Sequence, residues 1–128
     1  MAQALLIDSD LLIDYSRRQA DAVAFMRELK VRPVISAVTV AELYAGVREG
    51  RERDDRDQFV SQSDVTAVDT QIAELAGLIL QQYVKSHSVG LADAIIAATA
   101  KLERAQLVTL NRKHFPMLDD VLVPYQKA

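Results

Sequence analysis

Four polar side chains stand where apolar segments of this sequence meet their connections: Asp8, Glu42, Asp93 and Asn111. Carboxylate and amide oxygens are the ligands that hard divalent cations such as Mg²⁺ and Mn²⁺ prefer. In proteins Mg²⁺ is commonly held by one or two carboxylates, while waters and substrate phosphates complete its coordination. Such a cation polarises a phosphodiester and activates a bound water. If these side chains converge, the sequence therefore favours phosphodiester hydrolysis.

Asp93 is the strongest single indication of a site. It is the only charged residue between Leu91 and Ala100, and it shares a helix face with Ile96 and Ala97. An ionised carboxylate buried on that face would cost several kcal/mol unless a cation or hydrogen bonds compensated it. An acid in the first turn of a helix, stabilised by the helix dipole, is the equally weighted alternative.

Glu42 and Asp8 are weaker signals when each is taken alone. The neighbours of Glu42 one helical turn away are small, which leaves space beside its carboxylate, although a solvent-facing glutamate is the simpler interpretation. Asp8 and Asp10 follow one short apolar run as a pair of acids. A solvated loop explains that pair only in part.

Length and composition indicate a single globular domain over residues 1–128. Half of the 128 residues are hydrophobic and 26% are charged, which is enough for a core that folds alone. No apolar run approaches the roughly 20 residues of a membrane span, and the first residues lack the basic flank of a signal peptide. The absence of cysteine excludes disulfides and thiolate zinc sites. We therefore expect a cytoplasmic protein without a membrane segment.

The alternation of strands and helices predicts an α/β domain with a mainly parallel sheet of four to five strands. Predicted strands cover 5–7, 34–35, 65–68 and 107–109, with a short edge strand at 121–123. Predicted helices cover 11–17, a segment opened by Asp21, a segment capped by Ser36 or Thr39, a long helix opened by Asp69 or Thr70, and 91–104, with a loop at 86–90. Sites in such sheets form beyond the carboxyl ends of the strands, where all four candidate side chains can meet.

Four blocks of the sequence carry a family resemblance that spans nearly the whole chain. They cover 7–14, 35–43, 91–100 and 107–115. In order and spacing they resemble the signature blocks of the PIN-domain ribonucleases, and within that family the chain is most similar to the VapC toxins of bacterial type II toxin–antitoxin systems. The resemblance implies a three-layer α/β/α fold and metal-dependent endonucleolytic cleavage of RNA that leaves a 5′-phosphate and a 3′-hydroxyl.

The resemblance also implies which residues carry the reaction. It assigns the ligands of Mg²⁺ or Mn²⁺ to Asp8, Glu42 and Asp93, with Asn111 at the fourth catalytic position, where the family frequently has Asp. Because an amide ligates weakly and brings no charge, we expect one tightly held metal. The implied partners are an RNA substrate, a second copy of the chain, and a cognate VapB-like antitoxin that neutralises the toxin and builds a larger assembly.

Further side chains could support this site. Ser9, Asp10 and Thr109 could hydrogen-bond a ligand or a phosphate, although caps and strand hydroxyls explain them as well. We expect Asp10 and Asp14 to serve helix capping and surface charge, and His114 to have a structural role. Since the net charge is −3, RNA would have to be attracted by a local basic rim, not by the whole surface. Candidates for that rim are Arg48, Arg51, Arg112 and Lys113.

Two other functions compete with this interpretation. A phosphatase of the haloacid-dehalogenase type would use Asp8 and Asp10, but the chain is short for that fold and would leave Glu42 and Asp93 unexplained. A noncatalytic RNA- or protein-binding module with a PIN-like fold would use an apolar groove, as would the antitoxin of a toxin. The candidates for that groove, all equally good core residues, are Leu11, Leu12, Tyr15, Phe25, Leu43, Tyr44 and Val47.

Overall fold

The computed structural model describes residues 3–127, apart from the side chain of His87. Its centre is a sheet of five parallel strands in the order β3-β2-β1-β4-β5. The strands are β1 (Leu5–Ile7), β2 (Val34–Ser36), β3 (Asp64–Thr66), β4 (Gln106–Val108) and β5 (Val121–Leu122). The predicted α/β class and parallel sheet are confirmed.

Six α-helices and one short 3₁₀ helix connect the strands within the described residues. They are α1 (Ser9–Ser16), α2 (Ala20–Arg27), α3 (Ala37–Ala45), α4 (Arg51–Ser61), α5 (Thr70–His87), α6 (Leu91–Glu103) and the 3₁₀ helix Arg112–His114. None of the helices described between residues 3 and 127 is long and apolar enough to cross a membrane.

Two helical layers cover the two faces of the sheet, because successive side chains of a strand point to opposite faces. Leu6 and Leu107 pack with α5 and α6 in one hydrophobic cluster. Ile7 and Val108, the next residues along the same strands, pack with α1, α2 and α3 in a second cluster. These two hydrophobic clusters, one on each face of the sheet, confirm the predicted three-layer arrangement.

Capping side chains determine where three of the helices begin. Asp8 accepts a hydrogen bond from the Ser9 amide at 2.8 Å and opens α1, directly after β1. Ser36 ends β2 and caps α3 by accepting from the Val38 amide. Asp69 caps α5 in the same way. Two neighbouring strands, β1 and β2, therefore run directly into helices at the same edge of the sheet.

Several predicted boundaries were wrong. The side chain that caps α2 is Gln19, two residues before Asp21, because its amide oxygen accepts from the Ala22 amide at 2.7 Å. The third strand covers Asp64–Thr66 instead of 65–68. The helix α5 continues to His87, into the predicted loop at 86–90.

The α6 helix is the central packing element of the α5 side, as its apolar sequence predicted. Ile96 is only 1% exposed and belongs to the cluster that α6 shares with α5 and the sheet. We predict that Ile96→Ala lowers the free energy of unfolding by about 2–5 kcal/mol, since the cavity cannot fully collapse. Leu91→Ala, on the same helix but 61% exposed, should change it by less than about 0.5 kcal/mol. Urea denaturation of both variants measures the difference, and equal losses would contradict this packing.

Candidate active site

Asp8 is a buried carboxylate at the carboxyl end of β1. It is 7% exposed, and it accepts hydrogen bonds from the Ser9 amide at 2.8 Å and from the Thr109 hydroxyl at 2.7 Å. Burial, together with the nearby charges of Asp10 and Glu42, raises its pKa from 3.8 to about 7, although those two hydrogen bonds act in the opposite direction. A buried acid with such a pKa is typical of functional sites, and its charge would be relieved by a cation.

Asp10 lies beside Asp8 and ties α1 to the end of β4. Its carboxylate accepts from the amides of Leu11 at 2.7 Å and Leu110 at 3.0 Å, and the Thr109 hydroxyl is 3.3 Å away. Burial raises its pKa against these hydrogen bonds. Asp10 is therefore more than a helix cap, because it joins two of the elements that carry the candidate site.

Glu42 reaches the same cleft from α3. The residue is exposed overall, yet partial desolvation raises the pKa of its carboxyl group, and the charges of Asp93 and Asp10 add to that effect. A hydrogen bond with the Ser9 side chain acts in the opposite direction. Glu42 is thus electrostatically coupled to acids of α1 and α6, which are far from it in sequence.

Asp93 enters the cleft from the first turn of α6. One of its oxygens accepts from the Gly90 amide at 3.3 Å, so the residue closes the start of its helix as the alternative interpretation expected. The same oxygen, Oδ2, lies 3.6 Å from Nδ1 of His114, and the Asp93 side chain is 23% exposed. His114 was predicted to be structural, but its half-exposed ring stands at the edge of the acidic cleft.

Asn111 follows β4, and its exposed side chain lies at the start of the 3₁₀ helix. The main-chain N–H of Asn111 donates to the Thr109 hydroxyl at 3.1 Å. Since that hydroxyl also donates to Asp8, a continuous path of hydrogen bonds joins Asn111, Thr109 and Asp8. Thr109 is fully buried, and its hydrogen bond to Asp8 joins the end of β4 to the end of β1.

The donor set fits a hard cation that keeps much of its own water. Within residues 3–127, no group of three or more Asp, Glu or His side chains is gathered tightly enough to hold a metal by itself. The carboxylates are instead near enough to be coupled by their charges, Asp8 with Asp10 and Glu42, and Glu42 with Asp93, and all of their donor atoms are oxygens. This arrangement matches Mg²⁺ or Mn²⁺, which are commonly held by few carboxylates with waters and substrate phosphates, and not a closed zinc site.

The four candidate rim residues form two pairs on different elements. Arg48 and Arg51 are exposed around the connection from α3 to α4. Arg112 and Lys113 are exposed in the 3₁₀ helix after β4, although the Arg112 guanidinium also donates to the Val121 carbonyl at 2.8 Å. Within the described residues 3–127, the Lys113 side chain forms no hydrogen bond or ion pair, whereas the Arg112 guanidinium is held by the Val121 carbonyl.

Asp14 was predicted to be a surface charge, and that prediction was wrong. It is 8% exposed and accepts from the Tyr125 hydroxyl at 2.8 Å, while Lys127 Nζ lies 3.4 Å away. These contacts fasten the chain after β5 to α1. In the sequence, the only indication that Asp14 faces the interior was its spacing of four from Asp10, which places both acids on one helix face.

A separate groove opens in the helical layer of α1, α2 and α4. It has a volume of about 640 Å³, and three predicted groove residues line it, namely Leu12, Tyr15 and Leu43. Leu11 is instead fully buried in the core, and Phe25, Tyr44 and Val47 are not among the lining residues. Three basic side chains share the lining: Arg18, Arg27 and Arg56.

Comparison with known proteins identifies the family to which this chain belongs. The model of the PIN domain matches residues 5–120, and the chain belongs to the PIN-domain family. This confirms the resemblance that the four sequence blocks carry, and it decides against a phosphatase of the haloacid-dehalogenase type.

Individual relatives indicate a subgroup within that family. The chain is 37% identical over 124 residues to ribonuclease VapC10 of Mycobacterium tuberculosis, a match that covers 94% of this chain and 92% of that protein. It is 36% identical to ribonuclease VapC19 of the same organism, over 94% of this chain and 98% of the relative. A toxin–antitoxin complex from Klebsiella pneumoniae contains a similar chain, with a TM-score of 0.84, 27% identity and coverage of 97% and 100%. Within the PIN family, the chain is therefore of the VapC type.

The strained Asp8 carboxylate predicts a pH dependence of stability. Because the folded-state pKa is raised, the folded protein keeps a proton that the unfolded chain releases, so stability is lost as the pH rises from about 4 through about 7. Asp8→Asn should therefore raise the free energy of unfolding at pH 8, measured in EDTA, by roughly 2–4 kcal/mol.

The gain should disappear near pH 4, where the parent carboxyl is already protonated. Asp119→Asn, an exposed position outside the cleft, should show no such pH-dependent gain. Urea denaturation between pH 4 and pH 8 measures both variants. A constant difference across that range would show that Asp8 is not electrostatically strained.

Proposed function

We propose that this protein is a metal-dependent endoribonuclease toxin that a cognate VapB-like antitoxin neutralises. The observation that carries the proposal is the buried Asp8 carboxylate with a pKa of about 7, coupled to Asp10 and Glu42 at the carboxyl edge of a parallel sheet. The similarity to VapC10 and VapC19, which are named ribonucleases, supports RNA as the substrate. RNA as the substrate also gives the cytoplasm as the site of action.

The proposed metal ligands are Asp8, Glu42 and Asp93, with Asn111 as an uncharged fourth catalytic residue. They would hold Mg²⁺ or Mn²⁺, whose chemistry there is to polarise the phosphodiester and to lower the pKa of a bound water. The chain itself orients the ligands. Thr109 and the Ser9 amide fix the Asp8 carboxylate from two sides, and the Gly90 amide fixes that of Asp93. Such outer contacts commonly tune both geometry and affinity of metal ligands.

RNA binding requires local positive charge, because the acidic cleft and the net charge of −3 repel phosphates. The two pairs, Arg48 with Arg51 and Arg112 with Lys113, can neutralise phosphates that flank the cleaved bond. The metal would neutralise the central phosphate. This distribution favours binding of a short stretch of RNA across the cleft.

The groove of α1, α2 and α4 is the proposed binding site of the antitoxin. Its apolar residues Leu12 and Tyr15 suit the apolar face of a helix, and three arginines suit acidic side chains on that helix. The Arg56 guanidinium is already held by the Leu43 carbonyl at 2.9 Å and lies 3.7 Å from Glu52, so Arg18 and Arg27 are the better candidates for an incoming acid. The complex from Klebsiella pneumoniae, a toxin bound to its antitoxin, supports this kind of partner.

A homodimer, joined into a larger assembly by the antitoxin, completes the proposal. Exposed apolar side chains on the α5–α6 layer, away from the antitoxin groove, support an interface there. Leu78, Val84 and Leu91 are 57%, 46% and 61% exposed. Large exposed apolar side chains are candidates for such an interface.

Asp93→Asn tests the proposed reaction most directly. The variant loses one anionic ligand but keeps the shape of the side chain, so it should fold as the parent does and cleave RNA with Mn²⁺ at least about 100-fold more slowly. Cleavage of a fluorescent single-stranded RNA measures the rate, and circular dichroism checks the fold. Asp119→Asn, which changes the net charge equally, should cleave at the parent rate. A folded Asp93→Asn variant with the parent rate would exclude the proposal.

Asn111→Asp tests the metal count. If residue 111 contributes a ligand, the added charge should tighten Mn²⁺ binding about tenfold or more, or should create a second binding event, in isothermal titration calorimetry. Lys113→Gln, a neighbour that changes the local charge by the same amount, should have a much smaller effect. Equal Mn²⁺ affinity of the parent and Asn111→Asp would show that position 111 is not a ligand.

A further inference from the structure

A second cavity of about 640 Å³ lies directly beside the acidic cleft. The 3₁₀ helix forms one wall with Asn111, Arg112 and Lys113, and the chain from β5 onward forms the other with Val123 and Gln126. The volume falls within the range of about 300–1,000 Å³ that is typical of small-molecule sites. Asn111, the fourth candidate site residue, lines the cavity, and its main-chain N–H is linked through the Thr109 hydroxyl to Asp8, so the cavity borders the candidate active site.

The lining of this cavity combines an apolar floor with a few polar groups. Leu110 and Leu122, which pack in the same hydrophobic cluster, provide the floor, while Asn111 and Gln126 bring side-chain amides and Lys113 an ammonium group. Each amide offers two donors and one acceptor, which is the complement of a nucleobase edge. The ammonium group of Lys113 is exposed and forms no ion pair in the described part of the chain, so it is available for a phosphate.

Both walls of the cavity are fastened to the rest of the fold. The guanidinium of Arg112 donates to the Val121 carbonyl at 2.8 Å and bridges one wall to the other. On the far side of the C-terminal segment, the Tyr125 hydroxyl donates to the buried Asp14, and Lys127 lies near the same carboxylate. Tyr125 and Lys127 thus face α1, whereas Gln126 between them lines the cavity. A site with such fixed walls needs little ordering when a ligand binds.

We propose that this cavity is a nucleotide subsite that holds one residue of single-stranded RNA next to the cleaved phosphodiester. Lys113 pairs with its phosphate, and Gln126 reads the edge of its base, with the apolar floor against the face of that base. Position 126 is then a specificity-determining residue, and Lys113 contributes affinity that does not depend on sequence. The inference rests on the proposed ribonuclease function, which it deepens.

Cleavage-site sequencing on a randomised single-stranded RNA tests the role of Gln126. Gln126→Leu keeps the size of the side chain but removes its hydrogen-bonding groups, so the nucleotide preference at one position beside the cut should weaken about 3- to 10-fold. Preferences at the other positions should stay unchanged. Gln82→Leu, on the exposed surface of α5, is the matched control and should retain every preference.

RNA affinity in EDTA, where no metal-dependent cleavage occurs, tests Lys113. Lys113→Gln should weaken binding of all sequences alike, and the slope of log affinity against log salt should become about 0.7 less steep, as expected for one lost phosphate contact on a single strand. Lys101→Gln, an exposed lysine on α6, should leave that slope unchanged.

The outcomes separate the subsite from the proposed function. If the parent cleaves RNA but Gln126→Leu keeps every preference and Lys113→Gln keeps the salt slope, the subsite is overturned and the ribonuclease function stands. If the parent binds RNA through Lys113 but never cleaves it with Mn²⁺, the subsite stands as a binding site and the catalytic function fails. A parent that neither binds nor cleaves single-stranded RNA overturns both.

Discussion

The site depends on one buried hydroxyl. Thr109 directly follows β4, beside the end of β1. Its hydroxyl lies 2.7 Å from Asp8 and 3.3 Å from Asp10, and it accepts from the main-chain N–H of Asn111. Two acids that would otherwise repel each other are thereby held together in a desolvated place. The hydrogen bonds lower the cost of this arrangement without removing it, since the pKa of Asp8 still lies at about 7. A divalent cation bound at these acids would relieve the remaining electrostatic strain.

The elements that position these groups were largely predictable from the sequence. Short apolar runs and a helical period of nearly four residues are local signals, and they identified β1, β2 and β4 as well as the apolar α6. The alternation of strands with helices then required a parallel sheet and brought Asp8 and Asn111 to one edge. Element ends were predicted less well, because competing caps such as Gln19 and Asp21 stand two residues apart and only packing decides between them.

The support of the site could not be predicted, because it depends on contacts between distant parts of the chain. Asp14 resembles any helix acid until Tyr125, 111 residues later, donates to it. His114 resembles a loop residue until its ring is placed 3.6 Å from Asp93. In both cases the sequence shows the residue type, but only the tertiary fold brings the partner near. The C-terminal segment is accordingly a wall of the candidate substrate site as well as the end of the sheet.

The central claim is that Asp8 is an electrostatically strained carboxylate whose strain a divalent cation relieves. Titration of the Asp8 carboxyl carbon by NMR, first in EDTA and then with saturating Mg²⁺, tests that claim most directly. The account predicts a pKa near 7 without metal and a fall by several units when Mg²⁺ is added, because the cation stabilises the charged form. An ordinary pKa near 3.8 in EDTA, or a raised pKa that Mg²⁺ leaves unchanged, would contradict it.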